Sequence, residues 1–154
     1  MPTRLRSVAL WLAMIAAPEA ATAQQAAVPP AQSAMPQVTV CGQQRAPAAQ
    51  PPAGSPPMVL FIAPCFDAQG GTSVIEPQTY VYYMQVVGKS SAPSQGTWIP
   101  YDESIERIMR EDFTRLLATG FLDNLSIELA PDYVFPNGTI GKVIVYNMEE
   151  RQRI

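Results

Sequence analysis

A proline-rich stretch at residues 24–57 limits where this 154-residue chain can build a hydrophobic core. The stretch holds eight prolines and one charged residue, Arg45, and most of the rest is alanine and glutamine. Such a composition buries too little apolar surface to offset the entropy that is lost on ordering. We therefore predict a disordered Pro/Ala/Gln-rich linker over residues 24–57 and a folded part that begins at Met58.

The N-terminus has the features of a signal peptide, which we assign to residues 1–23. Two arginines precede an unbroken apolar run at 8–17, and small residues follow at 21–23, where a signal peptidase would cut. The apolar run is too short for a membrane-spanning helix, which needs roughly 20 residues. We therefore expect export to the periplasm and a mature chain that begins at Gln24.

Composition argues against several classes of function. Loss of residues 1–23 removes two arginines and one glutamate, so the net charge moves from −3 to −4. A mildly acidic chain has no electrostatic reason to bind nucleic acid or an anionic membrane surface. The chain also has no histidine, the commonest general base and metal ligand. We therefore expect no cofactor, no bound metal and no nucleic-acid partner.

Cys41 and Cys65 are the only cysteines. An exported chain passes through an oxidising compartment, which favours a disulfide between them, and two free thiols are the alternative. As zinc ligands they would supply only two of the usual four. Residues 38–41 are typical of a short strand, and a Cys41–Cys65 bridge would tie this strand to the folded part.

The folded part opens with an apolar run at 58–62, which by its length suits a strand, and with a loop that continues to residue 78. Residues 79–87 are rich in valine and tyrosine and stop at Gly88, so we predict that they form the first strand of the domain proper. Residues 89–100 are polar and contain several turn formers, and are predicted to be a loop.

Residues 103–119 predict an amphipathic helix. Asp102 can cap its first turn, and Gly120 suits the left-handed conformation that ends many helices. Its apolar residues recur three and four apart and form one stripe, made of Ile105, Ile108, Met109, Phe113, Leu116 and Leu117. Asp112 falls inside this stripe, and we expect it to bond a nearby loop. The outer face predicts the ion pairs Glu103–Arg107, Glu106–Arg110 and Glu111–Arg115.

Two more strands are predicted after the helix. Residues 124–129 alternate between apolar and polar, as a strand with one buried face does, whereas 141–148 are almost continuously apolar, as a central strand would be. Asn137-Gly138 between them is a turn signal for an antiparallel hairpin. The predicted fold class is α+β, with a small three-stranded mixed sheet covered by helix on one face.

This order of elements resembles a POTRA domain of the BamA-type outer-membrane protein assembly factors. The resemblance covers about residues 79–153 and is carried by Tyr101, Asp102, Asp112, Leu116, 118–121, 124–128, Asn137, Gly138, Gly141 and 148–151. The family has two helices between its first and second strands, and residues 89–100 are too polar to supply the first of them. Family members continue into further POTRA domains and a membrane barrel, so we expect this chain to be the N-terminal part of a longer protein.

The resemblance implies a periplasmic interaction domain, associated with the outer membrane in the full-length protein, and not an enzyme. An edge strand offers unpaired N–H and C=O groups to an incoming strand. The resemblance gives this role to the second strand, whose residues are Asn124, Leu125, Ser126, Ile127, Glu128 and Leu129. The implied partners are unfolded outer-membrane proteins or subunits of the assembly machinery, with the membrane contacted only through the C-terminal barrel. The alternative is that this edge is solvated or covered by residues 58–62.

A small secreted enzyme and a free-standing periplasmic scaffold of unknown ligand are the competing functions. Cys65 has no histidine to activate it, and Lys89 and Lys142 lie beside glycines rather than in an apolar environment. The carboxylates of the helix are spaced to pair with arginines, unlike the paired carboxylates of a glycosidase. We therefore expect no catalytic residue.

Overall fold

The computed structural model describes residues 34–152. The predicted signal peptide and residues 24–33 of the predicted linker lie outside the described residues. The strands are β1 (Val38–Val40), β2 (Gln43–Arg45), β3 (Met58–Cys65), β4 (Leu122–Leu129), β5 (Tyr133–Val134) and β6 (Ile140–Glu150). The helices are α1 (Pro77–Tyr83) and α2 (Glu103–Ala118), with 3-10 turns at Asp67–Gln69, Gln85–Lys89 and Pro93–Gln95. No helix within residues 34–152 is long and apolar enough to cross a membrane.

The main sheet is mixed and has β6 at its centre. β3 pairs with β6 in parallel, β4 pairs with β6 antiparallel, and the short β5 also pairs with the start of β6. The continuous apolar sequence of β6 fits this position, because a central strand is covered on both faces. The predicted α+β class with a mixed sheet and helix on one face is confirmed.

The predicted strand at residues 79–87 is wrong. This segment forms the end of α1 and the 3-10 turn Gln85–Lys89, and β3 is the first strand of the sheet instead. Pro77 occupies the first turn of α1, where its missing N–H has no cost. The core residues of this segment are Tyr80, Tyr83, Met84, Val86 and Val87, and the first three follow the three-and-four spacing of a helix. Two helices therefore separate the first and second strands of the main sheet.

Helix α2 starts and ends as its sequence predicts. The Asp102 carboxylate accepts hydrogen bonds from the backbone N–H groups of Ser104 and Ile105, and Gly120 has a φ of 71°. Two corrections concern its surface. Among the three predicted ion pairs of this described helix, only Glu111–Arg115 is within ion-pair distance, at 3.8 Å. Phe113 is 38% exposed, so the apolar stripe is not fully buried.

The helices cover one face of the sheet and build the larger core. Leu116 and Ile105 from α2 pack with side chains of the central strand that point to the same side. The fully buried members of this core include Val59, Tyr80, Val86, Leu116, Ile144 and Tyr146. Burial of a large apolar side chain contributes about 1.5–3 kcal/mol, so this layer supplies much of the stability of the fold.

A small hairpin formed by β1 and β2 covers the opposite face of the sheet. Val40 is buried there against Ala63, Cys65 and Val143. The turn uses Cys41 and Gly42, whose φ values of 49° and 72° are those of a two-residue hairpin turn. The Sγ atoms of Cys41 and Cys65 form a disulfide that ties the turn to the end of β3.

The hairpin and the residues after it correct the prediction of a disordered linker for residues 34–57. Tyr133 Oη donates to the Pro36 carbonyl at 2.5 Å, and Asn137 Nδ2 donates to the Pro51 carbonyl at 2.7 Å. The physical reason for the order is local, and the average composition of residues 24–57 does not reveal it. The alternating Val38 and Val40 give the hairpin one apolar side, and that side packs on the sheet.

Candidate strand-docking site

The predicted docking strand, residues 124–129, lies within β4 at one edge of the main sheet. In the sheet order β3–β6–β4, the outer side of β4 carries no paired strand within residues 34–152. Residues 58–62 do not cover it, because β3 lies on the other side of β6. The alternative in which that segment closes the edge is therefore wrong.

The opposite edge of the sheet, formed by β3, is occupied at its start. The backbone N–H of Val59 donates to the Ile99 carbonyl at 2.8 Å, and the N–H of Ser91 donates to the Val59 carbonyl at 3.2 Å. The Tyr101 N–H donates to the Pro57 carbonyl at 2.8 Å. A loop thus satisfies backbone groups at the start of β3, whereas no strand of residues 34–152 pairs with the outer side of β4.

One hydrogen bond fixes which backbone groups of β4 point outward. The Ala130 N–H donates to the Val143 carbonyl at 2.9 Å, one residue beyond the end of β4. In the same register, Glu128 is paired with Val145 and Ser126 with Asn147. Hydrogen-bonded and non-hydrogen-bonded pairs alternate along an antiparallel ladder, so these even-numbered residues bond to β6. The N–H and C=O groups of Leu125, Ile127 and Leu129 therefore face away from the sheet.

A groove runs beside this open edge, between β4 and α2. It has a volume of about 630 Å³ and is lined mainly by apolar side chains, namely Met109, Phe113, Leu125, Ile127 and Leu129. Phe113 and Leu129 are 38% and 43% exposed, which is unusual for large apolar residues that face a core layer. An added strand could bury them while its backbone bonds to β4.

Polar groups border the groove at the start of α2. Tyr101, Glu106 and Arg110 line this end, and the Tyr101 hydroxyl donates to Glu106 Oε1 at 3.4 Å. Partial burial and the Glu106 carboxylate raise the pKa of Tyr101 above its ordinary value of 10.0, so the phenol stays protonated in neutral solution. This end of the groove can donate and accept hydrogen bonds.

A buried carboxylate holds α2 in place above the sheet. Asp112 is fully buried and accepts hydrogen bonds from the backbone N–H groups of Gln85 and Val86, at 2.9 and 3.0 Å. It also accepts from the Tyr146 hydroxyl at 3.1 Å and forms an ion pair with Arg115. Asp112 therefore bonds the 3-10 turn that follows α1, as the sequence predicts, and fixes the helical wall of the groove.

A second carboxylate anchors the end of β6. Glu150 is 7% exposed and accepts hydrogen bonds from the Val74 and Ile75 N–H groups at 2.6 and 2.9 Å and from Tyr80 Oη at 2.8 Å. Gln69 and Ser73 also donate to it. Burial alone would raise the pKa of Glu150, but these hydrogen bonds outweigh burial and lower the pKa from 4.5 to about 2.

Two of the three side chains considered for catalysis, Cys65 and Lys142, have structural partners. Cys65 is in the disulfide, and Lys142 Nζ lies 2.7 Å from Asp132 Oδ1 in a solvent-exposed ion pair. Within residues 34–152, no group of three or more His, Cys, Asp or Glu side chains is placed to hold a metal ion. The geometry of the described residues offers a docking edge and two anchoring carboxylates.

Comparison with protein-family models, with curated proteins and with solved structures finds no match to this chain.

The helical half of the groove was not identified from the sequence. Met109 and Phe113 were assigned to the buried stripe of α2, and the structure places them at the border of the core, beside the open edge. Phe113 lines the groove together with residues of β4 and is 38% exposed, so the stripe is only partly covered at this position. Three-and-four spacing shows which residues share a helix face but not how deeply each of them is buried.

Proposed function

We propose that this chain is a periplasmic POTRA-type interaction domain. It captures extended segments of unfolded outer-membrane proteins, or of partner assembly factors, by strand addition at β4 during outer-membrane protein assembly. The observation that carries the proposal is the open edge of β4, where the backbone groups of Leu125, Ile127 and Leu129 face outward beside an apolar groove. Such an edge is a template for an incoming strand.

The order of the elements supports the POTRA resemblance. The family pattern is a strand, two helices, a second strand, a turn and a last strand, and β3, α1, α2, β4 and β6 follow that order. One of the two departures from the family pattern is the missing first helix, expected over residues 89–100. Helix α1 lies earlier, at Pro77–Tyr83, but still between the first and second strands of the sheet. The second strand of the pattern, β4, is the one with the open edge.

The energies of these contacts favour weak binding. A backbone hydrogen bond contributes about 0.5–1.5 kcal/mol net, and the three outward residues can form only a few such bonds. Burial of the exposed parts of Phe113 and Leu129 adds about 25 cal/mol for each Å² removed from water. The cost of ordering an extended segment offsets much of this gain. Reversible capture suits a protein that must release its client.

Proline substitutions at adjacent residues of β4 test the proposal. Ile127→Pro removes an N–H that faces away from the sheet, whereas Ser126→Pro removes one that bonds to β6. We expect Ile127→Pro to stay folded and to lose binding of an extended peptide of about nine residues with the alternating pattern of an outer-membrane strand. We expect Ser126→Pro to unfold or to melt at a much lower temperature.

The matched control for Ile127→Pro is Ile127→Ala, which truncates the same side chain and keeps the N–H. Peptide affinity is measured by fluorescence anisotropy, and folding by circular dichroism during heating. We expect the alanine variant to bind more weakly than the wild type but measurably. If folded Ile127→Pro binds the peptide as well as Ile127→Ala does, the edge of β4 is not the docking site.

A further inference from the structure

The two sides of the open edge differ in chemistry, and this difference bears on which strands β4 accepts. Side chains of a strand point alternately to the two faces of the sheet. A strand that pairs with β4 therefore places every second side chain toward α2 and the apolar groove. The remaining side chains lie on the opposite face, beside Asn124, Ser126 and Glu128, whose neighbours on that face are Asn147 and Glu149.

The face opposite α2 carries carboxylates that no cation neutralises. Glu128 is exposed, and its described hydrogen bond is the one that it accepts from Ser126 Oγ at 3.1 Å. Glu149 and Asp67 are also exposed, and both line a shallow depression of about 240 Å³ with Asn124, Ser126 and Asn147. Within residues 34–152, none of these three carboxylates forms an ion pair with a lysine or arginine.

The cation in β6 and the cation that follows it, Lys142 and Arg151, are paired with other carboxylates. Arg151 Nε lies 2.9 Å from Asp123 Oδ1, and Lys142 Nζ lies 2.7 Å from Asp132 Oδ1. Asp123 and Asp132 flank the 124–129 segment in sequence, so the acids at its two ends already have partners. Glu128, the fifth of its six residues, forms no ion pair with a lysine or arginine of residues 34–152. The unbalanced negative charge therefore lies where an added strand would place its polar side chains.

We propose that β4 selects strands whose polar face is cationic, with lysine or arginine alternating with large apolar residues. This inference rests on the proposed function and specifies the partner of the same site. Directly opposed residues of an antiparallel pair have Cβ atoms about 4.5–5.5 Å apart, so a lysine opposite Ser126 or Glu128 brings its ammonium group within reach of the Glu128 carboxylate. A glutamate at the same position would be repelled.

The effect of each charge is modest, because the carboxylates are exposed. Exposed ion pairs are typically worth about 0.2–1 kcal/mol, which is a factor of roughly 1.4 to 5 in affinity. A cationic strand with two or three polar positions along β4 gains this factor in affinity more than once. An acidic strand loses affinity by a similar factor. We therefore expect about tenfold or greater discrimination between cationic and acidic strands at low ionic strength.

Three synthetic peptides of about nine residues test this inference. They share the same alternating leucine and phenylalanine positions, and their polar positions are all lysine, all glutamine or all glutamate. Each is titrated against the mature chain by fluorescence anisotropy at about 0.02 M and about 0.5 M salt. We expect affinity to fall in the order lysine, glutamine, glutamate, and the differences to shrink at high salt.

Two charge-removing variants locate the source of the selectivity. Glu128→Gln should reduce the preference for lysine over glutamate by about threefold or more, since it removes one exposed pair. Glu111→Gln also removes one negative charge, but from the helix layer on the other side of the sheet, where Glu111 lies 3.8 Å from Arg115. It should leave the preference unchanged. The two variants have equal net charge, so a general charge effect would alter both equally.

The outcomes separate this inference from the proposal on which it depends. If no peptide binds, both fail. If all three bind with equal affinity and Ile127→Pro abolishes binding, strand addition stands and charge selection is overturned. A preference for the acidic peptide, or a lysine preference that Glu128→Gln does not reduce, also overturns it.

Discussion

Asp112 Oδ2 lies 3.1 Å from the hydroxyl oxygen of Tyr146 and so joins the middle of α2 to the central strand of the sheet. Burial and the charge of Asp112 raise the pKa of Tyr146, so the hydroxyl stays protonated and donates this bond. The same carboxylate caps the 3-10 turn at Gln85 and Val86. One side chain thus connects three elements around the core.

Replacing Asp112 by asparagine should destabilise the fold by about 3 kcal/mol or more. The amide removes the charge that faces Arg115 and places an NH₂ group among the donors, so buried polar groups lose their partners. The measurement is the free energy of unfolding in urea. The control is Asp132→Asn, which breaks only the exposed pair with Lys142 and should cost less than about 1 kcal/mol. Equal effects would contradict the role given to Asp112.

Glu150 should make the stability of the domain depend on pH in the acid range. Its pKa is about 2 in the folded chain against an ordinary value of 4.5, so the folded state favours the ionised form. The contribution is complete above about pH 4.5 and is lost as the pH falls toward 2. A shift of this size corresponds to an effect on the order of 3 kcal/mol. Unfolding in urea at a series of pH values measures it.

The variant Glu150→Gln should remove this part of the acid dependence. It keeps the shape of the side chain but offers only one acceptor oxygen to the N–H groups of Val74 and Ile75. The variant should be less stable than the wild type at pH 7 and closer to it at pH 2. An unchanged difference between the two proteins across this range would argue against an ionised Glu150 as the anchor.

Gly141 should not tolerate a side chain. A Cβ atom there would lie 2.8 Å from Leu60 Cδ2 and 3.2 Å from Phe135 Cε2, and both of these residues are almost fully buried. Overpacking of this kind typically costs about 1–3 kcal/mol, so we expect a loss of that size for Gly141→Ala. Gly88→Ala is the control, because a Cβ atom there has no neighbour within 4 Å. The melting temperatures of the two variants are compared. If crowding at Gly141 is not the cause, they will fall by comparable amounts.

The elements predicted correctly from the sequence are those whose signals are local. Helix α2 has its cap at Asp102, its three-and-four spacing and Gly120 within one continuous segment. Residues 79–87 instead carry strand-forming valine and tyrosine together with helical spacing. Their conformation depends on β3, which is distant in sequence and takes the place beside β6. Strand propensity has a smaller effect on the conformation of a segment than such tertiary contacts have.

The docking edge could be predicted only in part, for a related reason. Alternation in residues 124–129 shows which side chains share a face, but not which N–H groups point away from the sheet. The direction of each N–H group depends on how β4 pairs with β6, and the hydrogen bond between Ala130 and Val143 fixes it. The apolar half of the site depends on how much of Phe113 is left uncovered beside β4, which is a property of packing.

The disulfide should hold the β1–β2 hairpin on the sheet without determining the helical core. Cys41 and Cys65 close a loop with a sequence separation of 24, for which chain-entropy estimates give about 3 kcal/mol. We expect the double variant Cys41→Ser, Cys65→Ala to lose about that much. Alanine suits position 65 because this residue is buried.

Amide hydrogen exchange distinguishes loss of the hairpin from general unfolding. In the double variant, amides of residues 38–45 should exchange much faster, whereas those of α2 and β6 should keep protection until global unfolding. Wild-type protein reduced with dithiothreitol is the matched control, because it breaks the same bond without changing side-chain volume. If the hairpin keeps full protection after reduction, its contacts through Val40 with Ala63 and Val143 are sufficient to hold it, and the disulfide acts only on the unfolded chain.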